Sequence, residues 1–483
     1  MPLIPAWLSR LFRPQPRSRY DAEIYSPRRS YIPGTIQGAK FDACYSARLA
    51  MLAKARDAER NNALVNRMAD IWECYTVGTG LRLQPASGDA AWNESAAAWW
   101  ADWEPLADAS SRQGWGTLQS LVARVWFIDG EAFLLKTRGE GGRPRLQMIE
   151  GHLVATPEQL KSRKDILDGV QVDQRGRPVA YYVGTEGEPG QLTFGPPIDA
   201  DSVIHIFEPA RPGQPRGITF LHPVLNDLTD LADLQTLELQ SCKTAAAIAV
   251  KQTNESGEPD LAQYRRSRLT RSNEDSAGTA VSDATVQLIG DVTGARVVGL
   301  KTGEELSQFG NTRPAEETRM FWRLLETKIC LGCGFPYVLV NPDSMQGTVY
   351  RGSLDMATAF FRNRSLVMAT AAKEVWRYVM GYAKNTPELT PAPADWWKCT
   401  VIPPRAPNVD VGRNSAAMIA ELEVGATDYE LIYAPQGLDW RQRFAALAEQ
   451  RAYAKSLGLE LAPASPEPPD PEKQEDEAPT KTP

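Results

Sequence analysis

Cysteine is scarce in this sequence. Six cysteines occur among 483 residues, scattered at positions 44, 74, 242, 330, 333 and 399. Such spacing does not supply the disulfide framework typical of small secreted proteins, so we expect free thiols and a reducing compartment. Cys330 and Cys333 have the spacing of half a zinc site, but no second pair of cysteine or histidine ligands follows them. The sequence therefore predicts no metal site, and we expect no cofactor.

Histidines and known catalytic motifs are also scarce. The three histidines, His152, His205 and His222, fall in different predicted elements, and none has a recognisable serine or cysteine partner motif. His205 lies in the apolar run VIHIF, where a hydrogen-bonded core histidine is the simpler interpretation. The sequence contains no G-x-S-x-G segment and no G-x-x-x-x-G-K-[ST] loop, which excludes a serine-hydrolase elbow and an ATP-binding P-loop. We therefore expect a protein that is not an enzyme.

Long apolar runs and a strong positive charge are likewise missing. The longest apolar stretches, such as the one around 245–250, fall well short of the roughly 18 to 20 residues that a membrane-spanning helix needs. Residues 1–40 form a basic arm that is interrupted by prolines and lacks a signal-peptide cleavage site. The formal charge of −7 argues against a broad basic face for nucleic acid, although such a charge is ordinary for a soluble protein. We expect no membrane contact, and only loose or local contact with DNA.

The residues that are present predict a mixed α+β fold. Apolar residues at helical spacing, with good helix formers, cover 42–75 and return around 92–103. Between them, VGTGLRLQP predicts a turn and a short strand. From 121 to 207, short apolar runs alternate with glycine, proline and Asp-Gly, which predicts a β-rich region that begins with a strand at VWFIDGEAFLL.

The second half of the chain is predicted to be mainly helical. A long helix covers 217–250, and two short strands, TVQLIG and ARVVGLK, precede a helix at 314–331 with clear start and stop signals. Another long helix covers 352–384, a strand follows at DWWKCTVIPP, and 415–457 is helical again. The final 22 residues, 462–483, hold seven prolines and six acidic residues, so we expect disorder there.

Four segments, in this order, resemble the lambda-type family of phage portal proteins. They are ARDAERNNALVNRMADIWECYTVGTGLRL, RPGQPRGITFLHPVLNDLTDLADLQTLELQSCKTAAAIA, FWRLLETKICLGCGFPYVLVNPD and the helix at 350–377. The second is the most specific, because an R-G-x-x-x-L-x-P-V-L opening before an acidic amphipathic helix is hard to obtain from composition alone. Two motifs depart from the family pattern. Residues 350–353 replace a Tyr-Ser-Ser-x-Arg-like motif, and 406–410 replace a loop that contains Asp-Pro.

The resemblance, which covers about residues 45–460, implies a homo-oligomeric ring of twelve subunits at one capsid vertex. Such a ring is the channel for packaging and ejecting viral double-stranded DNA. It would dock the terminase large subunit, the head-completion or adaptor proteins, and the major capsid or scaffold protein. The chain would be part of the virion and would assemble in the host bacterial cytoplasm. Its acidity suits a channel, since each phosphate held by Lys or Arg adds a contact that sliding DNA must break.

The implied portal-protein fold has a β-rich wing, a two-helix stem, a small clip and a helical crown. Residues 1–40 are assigned to the basic arm, 41–311 to the wing, and 312–385 to the stem with its clip. Residues 386–414 are assigned to the wing strand with its tunnel loop, 415–461 to the return helix with the crown, and 462–483 to the acidic tail. The wing has a helical start, a β-rich middle and the 217–250 helix. The stem helices are those at 314–331 and 352–384, with the clip around 332–350. We expect the stem helices to carry apolar stripes too extensive for one subunit to cover.

Two sets of candidate site residues follow from the resemblance. For the clip, where terminase would bind, they are Phe335, Pro336, Tyr337, Asn341 and Asp343. For the tunnel loop, which would line the narrowest part of the channel, they are Pro404, Arg405, Asn408, Asp410 and Arg413. The composition of this loop fits that role, because its prolines stiffen the backbone and its charges are of both signs. A surface loop of no special function would have a similar composition.

Two other classes of protein stay open. Another head–tail connector, or a capsid-associated structural protein, would equally lack catalytic motifs, but adaptors are usually much shorter. A phage-encoded hydrolase would need a convergent acid, base or metal set, which the sequence does not show. Imaging of the purified protein separates these classes, because only a portal protein predicts a ring with a central hole.

Overall fold

Helices form most of the described structure. The computed structural model describes residues 38–39, 45–187, 190–247, 316–341, 347–389, 391–404, 411–433 and 440–458. Its helices are α1 Tyr45–Asn61, α2 Ala63–Thr76, α3 Ala90–Trp103, α4 Trp115–Asp129, α5 Leu225–Ala247, α6 Glu316–Gly332, α7 Tyr337–Val340, α8 Gly347–Ala383, α9 Val411–Glu423, α10 Tyr429–Tyr433 and α11 Trp440–Ser456. The predicted strands TVQLIG and ARVVGLK, like the acidic tail and nearly all of the basic arm, lie outside the described residues.

The described strands form small antiparallel sheets. They are β1 Arg82–Pro85, β2 Glu131–Arg138, β3 Pro144–Ile149, β4 Ile166–Leu167, β5 Val170–Val172, β6 Pro178–Tyr181, β7 Gly184–Glu186, β8 Leu192–Phe194, β9 Ile198–Asp199, β10 Val203–Phe207 and β11 Cys399–Ile402. The strand orders are β10-β2-β3, β4-β5-β6-β9, β7-β8 and β1-β11. Helices and sheets are thus mixed, as the α+β prediction requires.

The β10-β2-β3 sheet separates two hydrophobic cores. Successive side chains of a strand point to opposite faces of its sheet. Leu134 of β2 and its cross-strand neighbour Ile204 face a large helical core, whereas Phe133 and its neighbour Ile149 face a small core that also holds Tyr181. Burial on both faces explains why β2 holds the unbroken apolar run 132–135 instead of an alternating pattern.

The run VWFID is helical, and its prediction as a strand is wrong. It ends α4, whose residues Leu118, Val122 and Trp126 are buried at helical spacing. Gly130 terminates the helix with φ 86°, a left-handed conformation that glycine adopts without steric cost. Its N–H donates to the Trp126 carbonyl at 2.9 Å. A short apolar run fits either a strand or a buried helix, and here the helical pattern that starts at Trp115 continues through it.

Two more predicted elements are shorter than expected. The helix predicted at 217–250 begins at Leu225, because Pro223 lacks an N–H and disfavours helical backbone at the residue before it. The strand predicted at DWWKCTVIPP is restricted to β11, which pairs with β1. The Trp396 and Lys398 N–H groups close turns by donating to the carbonyls of Pro393 and Asp395.

Helix α8 runs through the large core. Its apolar stripe was predicted to need neighbouring subunits for cover, but the stripe is buried inside the subunit, at Leu354, Ala357, Phe361, Met368, Ala372, Val375, Trp376, Val379, Met380 and Ala383. Part of the cover comes from the ring of Trp72 in α2, whose centroid lies 6.0 Å from that of Phe361. The prediction of an uncovered stripe is therefore wrong for α8. Neither this 37-residue helix nor any other described helix is long and apolar enough to cross a membrane.

Candidate functional site: a helical hairpin and the segments after it

Helices α5 and α6 pack together in opposite directions, and we name this pair the α5–α6 hairpin. At its base, Lys328 Nζ of α6 donates to Asp227 Oδ1 of α5 at 2.6 Å. Gly332, the last residue of α6, lies so close to Val224 that a Cβ on it would be 2.3 Å from Val224 Cγ1. The start of α5 is therefore held against the end of α6. Within the subunit α6 packs on α5, whereas the other predicted stem helix, α8, lies in the core.

Helix α6 has apolar residues on two opposite faces. Leu325 and Ile329 pack into the large core. On the other face Met320, Leu324 and Leu331 are 66%, 61% and 70% exposed. These three residues, named the α6 stripe, are spaced by four and seven positions and so lie within about 40° of one another on a helix of about 3.6 residues per turn. An exposed apolar stripe of this kind marks an interaction surface.

Phe335, predicted to contact terminase at the clip, is a core residue. It is 1% exposed, and its ring lies 5.4 Å from that of Phe127 and 5.5 Å from that of Phe361, measured between centroids. Any contact between Phe335 and a partner would require the side chain to leave this cluster. Pro336 follows it as the half-buried residue that precedes α7. Asp343, the last predicted clip residue, lies outside the described residues.

Tyr337 and Asn341 belong to a hydrogen-bond chain that fixes the bend after α6. The Tyr337 hydroxyl donates to Glu326 Oε2 at 2.9 Å and accepts from Asn341 Nδ2 at 2.8 Å. The other carboxylate oxygen, Glu326 Oε1, accepts from Trp322 Nε1 at 2.7 Å. Burial, together with the hydrogen bond to Glu326, raises the pKa of Tyr337. The structure thus brings two of the predicted clip residues together, on the side of α6.

For the predicted tunnel loop, the structure describes the base. Pro404 comes two residues after β11 and lies against the turn that follows α2, where a Cβ on Gly78 would be 2.9 Å from Pro404 Cβ. Gly78 has φ 55°, so a glycine suits both the backbone and the close approach. Helix α9 includes position 413. The side chains of the other predicted loop residues lie outside the described residues: Arg405, Asn408, Asp410 and Arg413.

The Cys330 and Cys333 thiols are buried and free. Burial raises the pKa of each thiol to about 12. Zinc binds thiolates, and these two thiols are protonated at neutral pH. Among the described residues, no group of three or more His, Cys, Asp or Glu side chains is placed to hold a metal ion. The pair therefore serves as core packing at the end of α6.

A buried ion cluster, which the sequence did not predict, lies beside the small core. Glu131 and Arg216 are 1% and 3% exposed, and Arg216 Nε donates to Glu131 Oε2 at 2.9 Å. His205 Nε2 lies 3.1 Å from the same oxygen. Arg48 of α1 completes the cluster by donating from Nε to Asp168 Oδ2 at 2.6 Å. The sequence signals were His205, whose prediction as a hydrogen-bonded core histidine is confirmed, and the Arg-Gly pair that opens the R-G-x-x-x-L-x-P-V-L motif.

The cluster is electrically balanced. Burial alone would raise the pKa of Glu131, but the charge of Arg216 and hydrogen bonds from His205 and Arg216 hold it well below its usual range. Burial lowers the pKa of His205, against the opposing effect of its hydrogen bond to Glu131. With the His205 imidazole neutral, the guanidinium groups of Arg48 and Arg216 balance the carboxylates of Glu131 and Asp168. Because these charges are paired inside the protein, we interpret the cluster as structural.

Comparison with known proteins decides the family. A family model described as phage portal protein, lambda family, matches residues 34–352, which is more than half of the chain. The chain belongs to the lambda family of phage portal proteins. The match includes the α5–α6 hairpin, the ion cluster and the bend at Phe335. The resemblance carried by the four sequence segments is confirmed.

Relatives match most of the chain at low sequence identity. Portal protein B of Escherichia phage lambda and the portal protein of Escherichia phage N15 are each 23% identical over 461 residues, covering 84% of both chains. Similar solved structures include the neck of an empty gene transfer agent particle, with 14% identity, a TM-score of 0.47, and 86% of this chain and 94% of that one covered. An HK97-family portal protein from Corynebacterium diphtheriae has 13% identity and a TM-score of 0.28, with 61% and 81% covered. Portal proteins are structural components of the bacteriophage virion, as predicted, and neither curated relative has the name of an enzyme.

Proposed function

We propose that this chain assembles into a ring of twelve subunits at one capsid vertex, and that the ring is the channel for packaging and ejecting viral double-stranded DNA. The observation that carries this proposal is the match to the lambda portal family over residues 34–352. The α6 stripe supports assembly, because exposed apolar residues on one helix face are best buried against another subunit. Helix α6, with α5 packed against it, accordingly belongs to the stem.

In this proposal the bend after α6 is the clip, which docks the terminase large subunit and later the head-completion or adaptor proteins. Its candidate contact residues are the half-buried Pro336, Tyr337 and Asn341, together with Asp343, while Phe335 supports the bend from inside. The outer wing contacts the major capsid or scaffold protein. The subunit is made in the host bacterial cytoplasm and is retained in the virion.

The 404–414 segment is proposed to line the narrowest part of the channel. Pairing of β11 with β1, and the contact of Pro404 with Gly78, fix the base of this segment. Arg405 and Arg413 would then meet phosphates, with Asn408 and Asp410 between them. A few cations in an acidic ring contact DNA without holding it, because affinity rises with each phosphate neutralised.

Genome packaging tests the proposed function against its alternatives. Particles made by a phage that lacks this chain should contain no nuclease-protected genome, and supplying the chain in trans should restore it. Another head–tail connector, acting after packaging, predicts filled heads without tails. Filled heads in the absence of the chain would therefore overturn the portal proposal. We propose no enzymatic activity and no cofactor, since the ring provides a path and the terminase supplies the energy.

A further inference from the structure

The α5–α6 hairpin has two outer faces with opposite charge. We propose that neighbouring subunits join through them: the acidic outer face of α5 in one copy meets the basic, apolar outer face of α6 in the next. This inference rests on the proposed ring, and it specifies which residues of the hairpin meet across the contact between subunits.

The outer face of α5 is formed by Asp230, Asp233 and Leu237. These residues are spaced by three and four positions, so they lie within about 60° of one another on the helix. All three are exposed, and Leu237 is 64% exposed. Leu228 and Leu231, on the far side of the helix, are buried in the large core. The face therefore combines two carboxylates with one apolar residue.

The outer face of α6 consists of the α6 stripe and two arginines beside it, Arg319 and Arg323. Both arginines are exposed, and they follow one edge of the stripe at a spacing of four residues. Within the described part of the chain, neither these arginines nor Asp230 and Asp233 form an ion pair. The two faces are thus complementary to each other, with acid on one and base on the other, which selects a second copy of this chain as the occupant.

The two outer faces lie at the same position along the hairpin axis. The Asp227–Lys328 contact fixes the antiparallel register of the hairpin, so Asp230 and Asp233 lie level with the α6 segment that holds Arg323. In a ring whose axis runs along the hairpin, rotation carries each residue to the neighbour at the same height. A contact between two different faces, repeated about one axis, gives a closed ring when the rotation per subunit divides a full turn evenly.

Complementary charge reversals test this contact. One variant carries Asp230→Lys and Asp233→Lys, and the other carries Arg319→Glu and Arg323→Glu. Each alone places like charges across every contact, so the protein concentration needed for ring formation should rise about tenfold or more. An equimolar mixture should assemble at the wild-type concentration, because an alternating ring of even number restores an opposite pair at every contact. Recovery in the mixture also shows that both variants fold.

A control variant with Arg175→Glu and Glu94→Lys reverses two exposed charges outside the hairpin, one between β5 and β6 and one on α3, and should assemble normally. The inference is overturned if either hairpin variant assembles alone as the wild type does, or if the mixture stays unassembled. These outcomes leave the portal proposal standing, whereas failure of the wild-type chain to form rings counts against the portal proposal itself.

Discussion

The guanidinium of Arg216 is surrounded by hydrogen-bond acceptors. They are the carboxylate of Glu131, which lies 85 residues earlier in the chain, and several backbone carbonyls. Nε and Nη2 donate to Glu131, Nη2 donates also to the Gly151 carbonyl, and Nη1 donates to the carbonyls of Val154 and Asp168. Glu131 begins β2, and Arg216 lies in the loop that leads to α5. The pair therefore joins the β-rich part of the subunit to the base of the hairpin.

Removing Arg216 should leave a carboxylate buried without its main partner. Because breaking a buried ion pair on one side is strongly destabilising, Arg216→Ala should lower the free energy of unfolding by about 3–5 kcal/mol, measured by urea denaturation. Arg60→Ala is the control, since Arg60 is 66% exposed and pairs with Asp57 at 3.8 Å on the surface. Its effect should stay below about 1 kcal/mol. Equal losses in the two variants would contradict the role of the cluster.

The buried His205 predicts how stability depends on pH. Its folded-state pKa is lowered by burial, although Glu131 opposes this. The unfolded chain takes up a proton near pH 6.5, whereas the folded chain does so only at lower pH. Stability is therefore full above about pH 6.5 and falls below it, by up to about 1.4 kcal/mol per pH unit.

Denaturation of the His205→Gln variant checks this pH dependence. Between about pH 5.5 and 8, the variant should lose the histidine slope. The matched substitution His222→Gln, outside the cluster, should retain it. If the His205→Gln and wild-type proteins lose stability in parallel as the pH falls, His205 is not the buried neutral group described here.

Two glycines with similar φ angles allow the free-energy cost of backbone strain to be distinguished from the cost of steric crowding. Gly130 has φ 86° and lies so close to Ile218 that an added Cβ would be 2.0 Å from its carbonyl carbon. Gly176 has φ 83° and nothing within 4 Å of the same position. Gly176→Ala should cost about 1–2 kcal/mol from backbone strain alone. Gly130→Ala should cost about 1–3 kcal/mol more, because the Ile218 backbone must also move. Indistinguishable melting curves would refute the close approach.

Some elements could be predicted from local sequence and others could not. Helix α6 was predicted at 314–331 and is found at Glu316–Gly332, because its start and stop signals are local. The VWFID run was missed because its apolar residues suit a buried helix or a strand equally. The pair of Glu131 and Arg216 was not predictable, since their separation in sequence gives no signal of contact. The exposed face of α6 could be identified only from the structure, because α5 and the large core cover the opposite face of that helix.

The tunnel-loop assignment is tested with charge reversal in the channel. Replacing Arg405 and Arg413 with glutamate should leave rings intact and impair DNA packaging or retention, through repulsion between carboxylates and phosphates at close range. Packaged DNA is measured by nuclease protection, and ring formation by negative-stain imaging. Normal packaging and infectivity of the double variant would remove these side chains from the channel.

The central claim is that this chain forms a ring with a channel, and the most direct test is mass photometry of the purified full-length protein, combined with negative-stain imaging. We predict particles with the mass of about twelve subunits and a central hole, because the α6 stripe is exposed in the part of the subunit that the structure describes. A stable monomer at micromolar concentration, or a closed assembly without a hole, would contradict the account.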